Sequence, residues 1–298
     1  MDTTAHPSVL RRSLLYVPGD REEMLSKAAN RGADGLILNL EDAVAPARKE
    51  AARLNVVRAL SNVSFGGAEV IVRTNPPDSD AGYRDLMAIV PRKPAAILLP
   101  KVRSAEEVRF VAWTVERMET LYDIPLGRIR LMCMIESAAG VLGAPEIAAS
   151  HPRVSALVFG AADFASDVGS TVTADQRSLL YATSRLILAA RRAGIDAIDA
   201  PYMKLGDVVG LAQSANLARE SGFDGKSAIH PEQISTINAT FSPSREQLAW
   251  ARQVITALEG AGGTIGAALL DGQLIEAPHL ARARKIVAFS ESVGRQAS

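Results

Sequence analysis

Short apolar runs recur along the chain, and amphipathic stretches separate them. The runs are Leu14–Val17, Gly35–Leu40, Val70–Val72, Ala96–Leu99, Arg130–Ile135, Ala156–Phe159, Ala197–Ile198 and Lys226–Ile229. Runs this short and this apolar predict strands buried on both faces, as in a parallel sheet. The clearest helical patterns between them span Arg21–Arg31, Ala47–Leu60, Ala105–Leu121 and Thr173–Ala193. Gly32, Gly194 and Gly222 fall where helices should close before the next strand. Ser104-Ala-Glu-Glu107 reads as a capping box.

Eight strands alternating with helices predict an α/β protein, a closed (β/α)₈ barrel. A doubly wound open sheet is the competing architecture. No Gly-x-Gly-x-x-Gly or Walker-type loop follows a strand, which weighs against it. The pattern changes near residue 240. Phe241-Ser-Pro-Ser244 breaks the chain, a helix runs to about Leu258, and a glycine-rich stretch spans Gly260 to Gly266. Asp271-Gly272 between apolar residues signals a hairpin, and a last helix starts near Pro278. The expected organisation is a barrel over residues 1–240. A helix–hairpin–helix extension over 241–298 is expected to pack on the barrel or on a neighbouring subunit.

Composition narrows the function. Cationic and anionic side chains cancel at 33 each, so the whole-chain charge gives no case for binding nucleic acid or a membrane surface. The lone cysteine, Cys133, precludes an intrachain disulfide framework and reads as a small buried hydrophobe. No secretory signal and no run of 18 apolar residues is present, so a cytoplasmic enzyme is expected. The first ten or so and the last eight or so residues read as loose, polar ends.

Chemistry in such barrels gathers at the C-terminal ends of the strands. There the sequence places Glu41 and Asp42 after the second run, Arg73 and Asn75 after the third, and Lys101 after the fourth. Glu136 follows the fifth, Gly160-Ala161-Ala162-Asp163 the sixth, Asp199 and Tyr202 the seventh, and His230 the eighth. A ring of titratable groups at one rim is therefore expected to be an active site. Glu136 and Asp163, from neighbouring strands, suit a hard cation such as Mg²⁺, with Mn²⁺ as a substitute. The turn of Gly160, Ala161 and Ala162 is expected to face the site with its N–H groups. Arg73 is expected to grip a carboxylate or stabilise an enolate, and a salt bridge to Glu41 or Asp42 is compatible with that. Lys101 can bind phosphate or pair with an acid. His230 is either an acid–base group or a structural histidine. Arg12, Arg21 and Lys27 are candidate phosphate contacts.

At these residues the chain resembles the citrate lyase β-subunit-like family of the HpcH/HpaI aldolase superfamily. The resemblance lies in Arg12-Ser-Leu-Leu-Tyr-Val-Pro-Gly19, Leu40-Glu-Asp-Ala-Val44, Val72-Arg-Thr-Asn75, Leu99-Pro-Lys-Val102, Ile135-Glu-Ser-Ala-Ala-Gly140, Phe159-Gly-Ala-Ala-Asp163 and Ile229-His-Pro. Phe241-Ser-Pro-Ser244 and Ile275-Glu-Ala-Pro278 extend it into the tail.

The resemblance implies Mg²⁺ on Glu136 and Asp163 and substrate held by Arg73. It implies cleavage of malyl-CoA, citramalyl-CoA or citryl thioesters to an acyl thioester and a 2-oxo acid. It also implies a homo-oligomer, a trimer or hexamer, in which the tail of one subunit can cover its neighbour's site. Two positions depart from the family's usual aspartate, Asn39 and Glu276. Glu276 is expected to exchange a proton with the thioester carbon, and Glu41 and Asp42 to position water or Arg73. The alternatives are a β subunit working only inside a citrate lyase complex, a metal-dependent aldolase acting on free hydroxy-oxo acids, and an inactive barrel with a binding role.

Overall fold

The computed structural model describes residues 9–259 and 266–296. Residues 1–8, the glycine-rich 260–265 and 297–298 lie outside the described residues, whereas 291–296, expected to be a loose end, continue the last helix. Eight parallel strands close into a barrel in sequence order: β1 (Ser13–Pro18), β2 (Gly35–Asn39), β3 (Glu69–Arg73), β4 (Ala96–Leu99), β5 (Arg130–Ile135), β6 (Val154–Phe159), β7 (Asp196–Asp199) and β8 (Gly225–Ala228). β1 pairs with β8 through Ser13↔Lys226 to Leu15↔Ala228, which closes the ring. The barrel lies in a compact unit, Arg11–Asn238.

The helices between strands are α1 (Glu22–Lys27), α2 (Lys49–Asn62), α3 (Asp80–Ile89), α4 (Ala105–Leu121), α5 (Ala138–Leu142), α6 (Ala144–Ala148), α7 (Ala161–Asp167), α8 (Leu180–Ala193) and α9 (Val208–Ser221). Two are shorter than the sequence pattern predicts. The 21–31 stretch is α1 followed by a tighter 3₁₀ turn, Ala28–Arg31. The 173–193 stretch becomes α-helical only at Leu180. Thr173 Oγ1 donates to Asp175 at 2.7 Å and Gln176 takes a positive φ of 52°, so local side-chain bonding and a left-handed residue end the helical path there. Gly32, Gly194 and Gly222 do close their helices in the left-handed conformation, with φ of 74°, 68° and 107°. At Ser104 half of the capping box forms: its Oγ accepts the Glu107 N–H, but the Glu107 carboxylate takes the Arg103 N–H instead of that of Ser104.

Alternation along the strands decides what the barrel contains. Leu14, Ile37, Ile71, Leu98, Met132, Met134, Val158 and Ile198 form its interior core, with Tyr16 packed against them. The same alternation carries Arg73 inward two residues after Ile71, and Glu136 two residues after Met134. Polar groups so far inside are tolerated only when paired.

The N-terminal mouth has its own network. The Arg11 guanidinium donates to both Glu69 carboxylate oxygens at 2.7 and 2.8 Å and to Asp196 at 2.8 Å. Arg12 makes a two-pronged pair with Asp34 there, both bonds at 2.8 Å.

The described residues from Ala239 onward belong to a second compact unit. α10 (Gln233–Phe241) runs across the division, and α11 (Arg245–Glu259), the antiparallel pair β9 (Ala267–Leu270) and β10 (Gln273–Glu276), and α12 (Ala277–Gln296) follow. Ser244 and Gln247 cap α11 reciprocally, Ser244 Oγ accepting the Gln247 N–H and Gln247 Oε1 accepting the Ser244 N–H. Asp271 and Gly272 both have positive φ, 48° and 77°, as a two-residue hairpin turn requires. Val254, Leu258, Ile275 and Leu280 form this unit's core. Among the described residues no helix is long and apolar enough to cross a membrane.

Candidate active site

The C-terminal ends of β1 to β6 bring together Tyr16, Glu41, Asp42, Arg73, Lys101, Glu136 and Asp163. Glu136 is its centre. It is 3% exposed, and its Oε1 accepts the Lys101 backbone N–H at 2.7 Å. Its Oε2 is buried with no hydrogen-bond partner. Burial pushes its pKa up to about 7. Arg73 opposes that shift, and Asp163, close enough to share a proton with it, adds to it.

Asp163 sits in the first turn of α7 and is exposed to the opening. Gly160 lies against Glu136: a β-carbon built on it would fall 2.5 Å from Glu136 Cβ and 2.6 Å from Oε2. Only glycine therefore leaves the Glu136 carboxylate where it is. The Gly160 N–H is spent on the Ile135 carbonyl at 3.0 Å, so of the expected N–H turn only Ala161 and Ala162, at the start of α7, keep helix-end N–H groups.

Arg73 is buried beside this pair. One terminal nitrogen lies 2.8 Å from Glu41 and 3.8 Å from both Asp42 and Glu136. The contact to Glu41 is an ion pair misaligned for a hydrogen bond, and Arg73 Nε and Nη2 stay without acceptors. The Tyr16 ring lies beneath the guanidinium, 5.9 Å from its centroid to Cζ. Burial pushes the Tyr16 hydroxyl up to about 12, so it stays protonated.

Glu41, 2% exposed, anchors both site cations: Lys101 Nζ lies 3.0 Å from its Oε1. Burial raises its pKa, against the pull of Arg73. Asp42 is mostly exposed. Burial opposes its ionisation, but the bond shared with Glu41 and the nearby Lys101 and Arg73 hold it below the ordinary aspartate range. Lys101, with a positive φ of 54°, pairs with acids: Glu41 at 3.0 Å and Asp42 at 3.5 Å. Its hydrogen bond to Glu41 raises its pKa.

Three supporting groups, Lys49, Asp85 and Arg53, escaped the sequence reading. Lys49, the first residue of α2, donates from Nζ to the Leu40 and Glu41 carbonyls at 2.9 and 2.7 Å. Asn75 Nδ2 donates to the Leu40 carbonyl at 3.0 Å and to Asp85 at 2.7 Å, and Arg53 braces Asp85 from the other side at 2.7 Å. Asn75 was visible as a strand-end residue. Lys49, Asp85 and Arg53 lie on helical stretches where sequence alone gives them no role. Asn39, the first departure from the family pattern, accepts the Glu41 N–H through Oδ1 at 3.0 Å, a bond an aspartate would also make.

Asp199 turns away from the site, while Tyr202 and His230, in the loops after β7 and β8, have local partners of their own. Ile198 faces the barrel interior, so Asp199 faces the helical layer. There it pairs with Lys226 at 2.5 Å, both buried. The run Ala197–Ile198 was too short to show which side Asp199 takes. Tyr202 donates to Asp207 at 2.6 Å in the β7–α9 loop, and His230 lies 3.5 Å from Glu232. Arg12 precedes β1 and is committed to Asp34 at the opposite mouth, and Lys27 forms an exposed pair with Glu23 on α1. Arg21 lies 3.9 Å from Asp20 and is largely exposed. Glu276 lies at the end of β10 in the second unit, exposed, with its N–H donating to His279 Nδ1 at 3.1 Å. Cys133 is fully buried, and burial pushes its thiol up to about 12.

The arrangement suits a divalent cation. An orphaned carboxylate oxygen on Glu136 and the Asp163 carboxylate beside it are oxygen donors for a hard ion. Among the described residues no three His, Cys, Asp or Glu side chains gather to hold a metal. A cation on Glu136 and Asp163 would thus keep positions for water and substrate, as magnesium does.

Comparison with known proteins gives the family. The profile of the HpcH/HpaI aldolase/citrate lyase family matches residues 12–231. A (3S)-malyl-CoA thioesterase of Cereibacter sphaeroides is 39% identical over 97% of this chain and 96% of its own. Citrate lyase subunit beta of Leuconostoc mesenteroides subsp. cremoris is 34% identical over 95% of this chain and 94% of its own. The crystal structure of CitE from Mycobacterium tuberculosis with magnesium, acetoacetate and coenzyme A superposes with a TM-score of 0.77 at 31% identity, covering 94% of this chain and 97% of that one. With its closed barrel, its matching profile and relatives similar over nearly their whole length, this chain belongs to the HpcH/HpaI aldolase/citrate lyase family.

Proposed function

We propose that the chain is a magnesium-dependent carbon–carbon lyase. It splits a 3-hydroxy-acyl thioester of the malyl-CoA, citramalyl-CoA or citryl type into an acyl thioester and a 2-oxo acid. The observation that carries this reading is a pair of opposite, unmet bonding capacities in one buried chamber. Glu136 Oε2 is an acceptor without a donor, and Arg73 Nε and Nη2 are donors without an acceptor. Burying such groups unmet costs about 1–3 kcal/mol each. A cation alone answers the first and an anion alone the second. A carboxylate ligand held through a cation answers both.

Magnesium on Glu136 and Asp163 would supply Lewis-acid polarisation of the substrate's oxygen atoms. Manganese is the alternative ion. Arg73 receives the carboxylate end and stabilises the negative charge that develops as the bond breaks. Glu41 holds Arg73 and Lys101 in place, and Asp42 adds a second carboxylate to Lys101. Gly160, Ala161 and Ala162 leave room beside Glu136 for the substrate. The hydroxyl proton passes to a base. The electron pair of the carbon–carbon bond moves onto the thioester α-carbon, and Glu276 returns a proton to that carbon. Proton and charge then balance: the hydroxyl becomes the 2-oxo group and the carbon gains the hydrogen.

The test is a cleavage assay on malyl-CoA, citramalyl-CoA and a free 4-hydroxy-2-oxo acid, with Mg²⁺ and with EDTA. We expect Mg²⁺-dependent release of a 2-oxo acid from a thioester. Preference for the free acid would make the chain an aldolase. Turnover only with an acyl carrier would make it a citrate lyase β subunit, and no turnover with any of them would leave a binding barrel. Unchanged turnover in Glu136→Ala would refute the site itself.

One relative favours a second reading, hydrolysis of the thioester, because the Cereibacter sphaeroides protein is a (3S)-malyl-CoA thioesterase. Free thiol appearing without a 2-oxo acid would select it. We also propose that the chain acts as a homo-oligomer, a trimer or hexamer, within the cytoplasm. Leu180, Tyr181 and Leu188 on α8 are each more than 60% exposed, an apolar face that association would cover. Sedimentation velocity measures the state directly.

A further inference from the structure

We propose that Lys49 is a positioning residue for the reaction: its ammonium fixes the backbone on both sides of Glu41 and so aims the carboxylate that holds Arg73 and Lys101. This rests on the lyase reading for its catalytic consequence but not for its geometry.

Lys49 opens α2, and its side chain reaches back over the loop to the end of β2, the strand that precedes that helix. Its Nζ donates to the Leu40 carbonyl at 2.9 Å and to the Glu41 carbonyl at 2.7 Å. These two carbonyls belong to the peptide units immediately before and after the Glu41 α-carbon. Holding both fixes φ and ψ at Glu41, and with them the direction in which its side chain leaves the backbone.

Each carbonyl has a second donor as well. Leu40 O also accepts Asn75 Nδ2 at 3.0 Å, and Glu41 O also accepts the Val44 N–H at 2.8 Å. The turn is then closed by the carboxylate it carries, since Glu41 Oε2 accepts the Asp42 N–H at 2.6 Å. Without Lys49, the Glu41 carbonyl keeps one partner and the Leu40 carbonyl one, and the turn is held less tightly about the Glu41 α-carbon. A neutral donor would meet the hydrogen bonds but not the charge. Burial and the nearby Arg73 disfavour the charge on Lys49, while Glu41, Asp42 and Asp85 attract the ammonium through space. Lys49 touches neither Glu136 nor Asp163 by any hydrogen bond or ion pair among the described residues, so cation binding there should not depend on it.

The experiment compares wild type, Lys49→Met and Lys49→Arg in two readouts. The first needs neither metal nor substrate: hydrogen exchange of residues 36–48 in the metal-free protein. We expect Lys49→Met to speed exchange at the Glu41, Asp42 and Val44 amides by about tenfold or more, with the β3 and β6 amides unchanged. The second is turnover with Mg²⁺. We expect kcat to fall about tenfold to a hundredfold in Lys49→Met, the range seen when supporting groups are removed, while KM stays within about threefold. Lys49→Arg, which keeps a cation and two donors, should recover most of both.

Wild-type exchange in Lys49→Met overturns the proposal, as does exchange that rises equally across the barrel. Wild-type kcat in a variant whose turn is loosened overturns the catalytic part. If the wild-type protein turns over no thioester, the lyase reading fails by itself, and the exchange result alone decides whether Lys49 holds the turn.

Discussion

The α-carbon of Gly160 abuts the Glu136 side chain so closely that one added methyl group would lie 2.6 Å from the carboxylate Oε2. The last residue before α7 thereby sets the position of a carboxylate at the end of β5, the neighbouring strand. Gly160→Ala should displace the Glu136 carboxylate, and backbone on a closed barrel yields little to relieve it. We expect Mg²⁺ affinity to drop about tenfold to a hundredfold by isothermal titration. Far-ultraviolet circular dichroism should be retained. Unchanged affinity would mean that Glu136 is not the cation's ligand.

The raised pKa of Glu136 makes the metal-free protein pH-sensitive in a stated direction. Its ordinary value of 4.5 moves to about 7 on folding. Below 4.5 both states hold the proton and the group is neutral in its effect. As pH rises from 4.5 to 7, the unfolded chain ionises first and stability is lost, by about 3 kcal/mol in all. In EDTA, the urea midpoint of wild type should therefore fall between pH 5 and pH 8, and that of Glu136→Gln should fall less. Added Mg²⁺ should stabilise wild type more at pH 8 than at pH 5, because the cation competes with the proton for the same oxygen.

Arg73→Lys keeps a positive charge but removes the planar set of donors. The two nitrogens without hydrogen-bond acceptors are what the substrate carboxylate would engage, and an ammonium cannot present them in the same geometry. We expect kcat/KM to fall about a hundredfold, and Arg73→Ala to be worse still. The Ala variant also leaves Glu41 buried with Lys101 as its remaining cation. Steady-state kinetics on the thioester that wild type cleaves best would measure both.

Lys226→Met leaves Asp199 charged and unpaired beneath the helical layer. We expect it to lose about 3–5 kcal/mol of stability by urea denaturation. Replacing both, Asp199→Leu with Lys226→Met, should recover most of that, since two apolar side chains leave no buried charge. Per folded molecule, the double variant should turn over at the wild-type rate. A large loss of kcat would return Asp199 to the active site.

Much of this was legible from the chain itself. The barrel followed from eight short apolar runs alternating with amphipathic stretches, and the candidates Glu136 and Asp163 followed from where those runs stop. The pattern at Asp199 misled because a four-residue strand shows too little alternation to reveal which side its last residue faces. Arg12 misled because a cation before β1 and a cation after it look alike in sequence, though they emerge at opposite mouths. Lys49, Asp85 and Arg53 left no trace at all: each sits on a helix among ordinary charged neighbours, and its partners are 8 to 32 residues away. The close approach of Gly160 to Glu136 was equally hidden, since a glycine before a helix is unremarkable until the facing side chain is known.

Lys101 contributes to the site in two separable ways. Its main chain bonds Glu136 and its side chain bonds Glu41, and the left-handed backbone at this residue lets one position do both. The carboxylate assigned to the cation is thus insulated from substitution at residue 101, because every amino acid except proline carries the same N–H. Drift in side-chain chemistry there can retune the anion-binding half of the rim while the cation-binding half is left as it was.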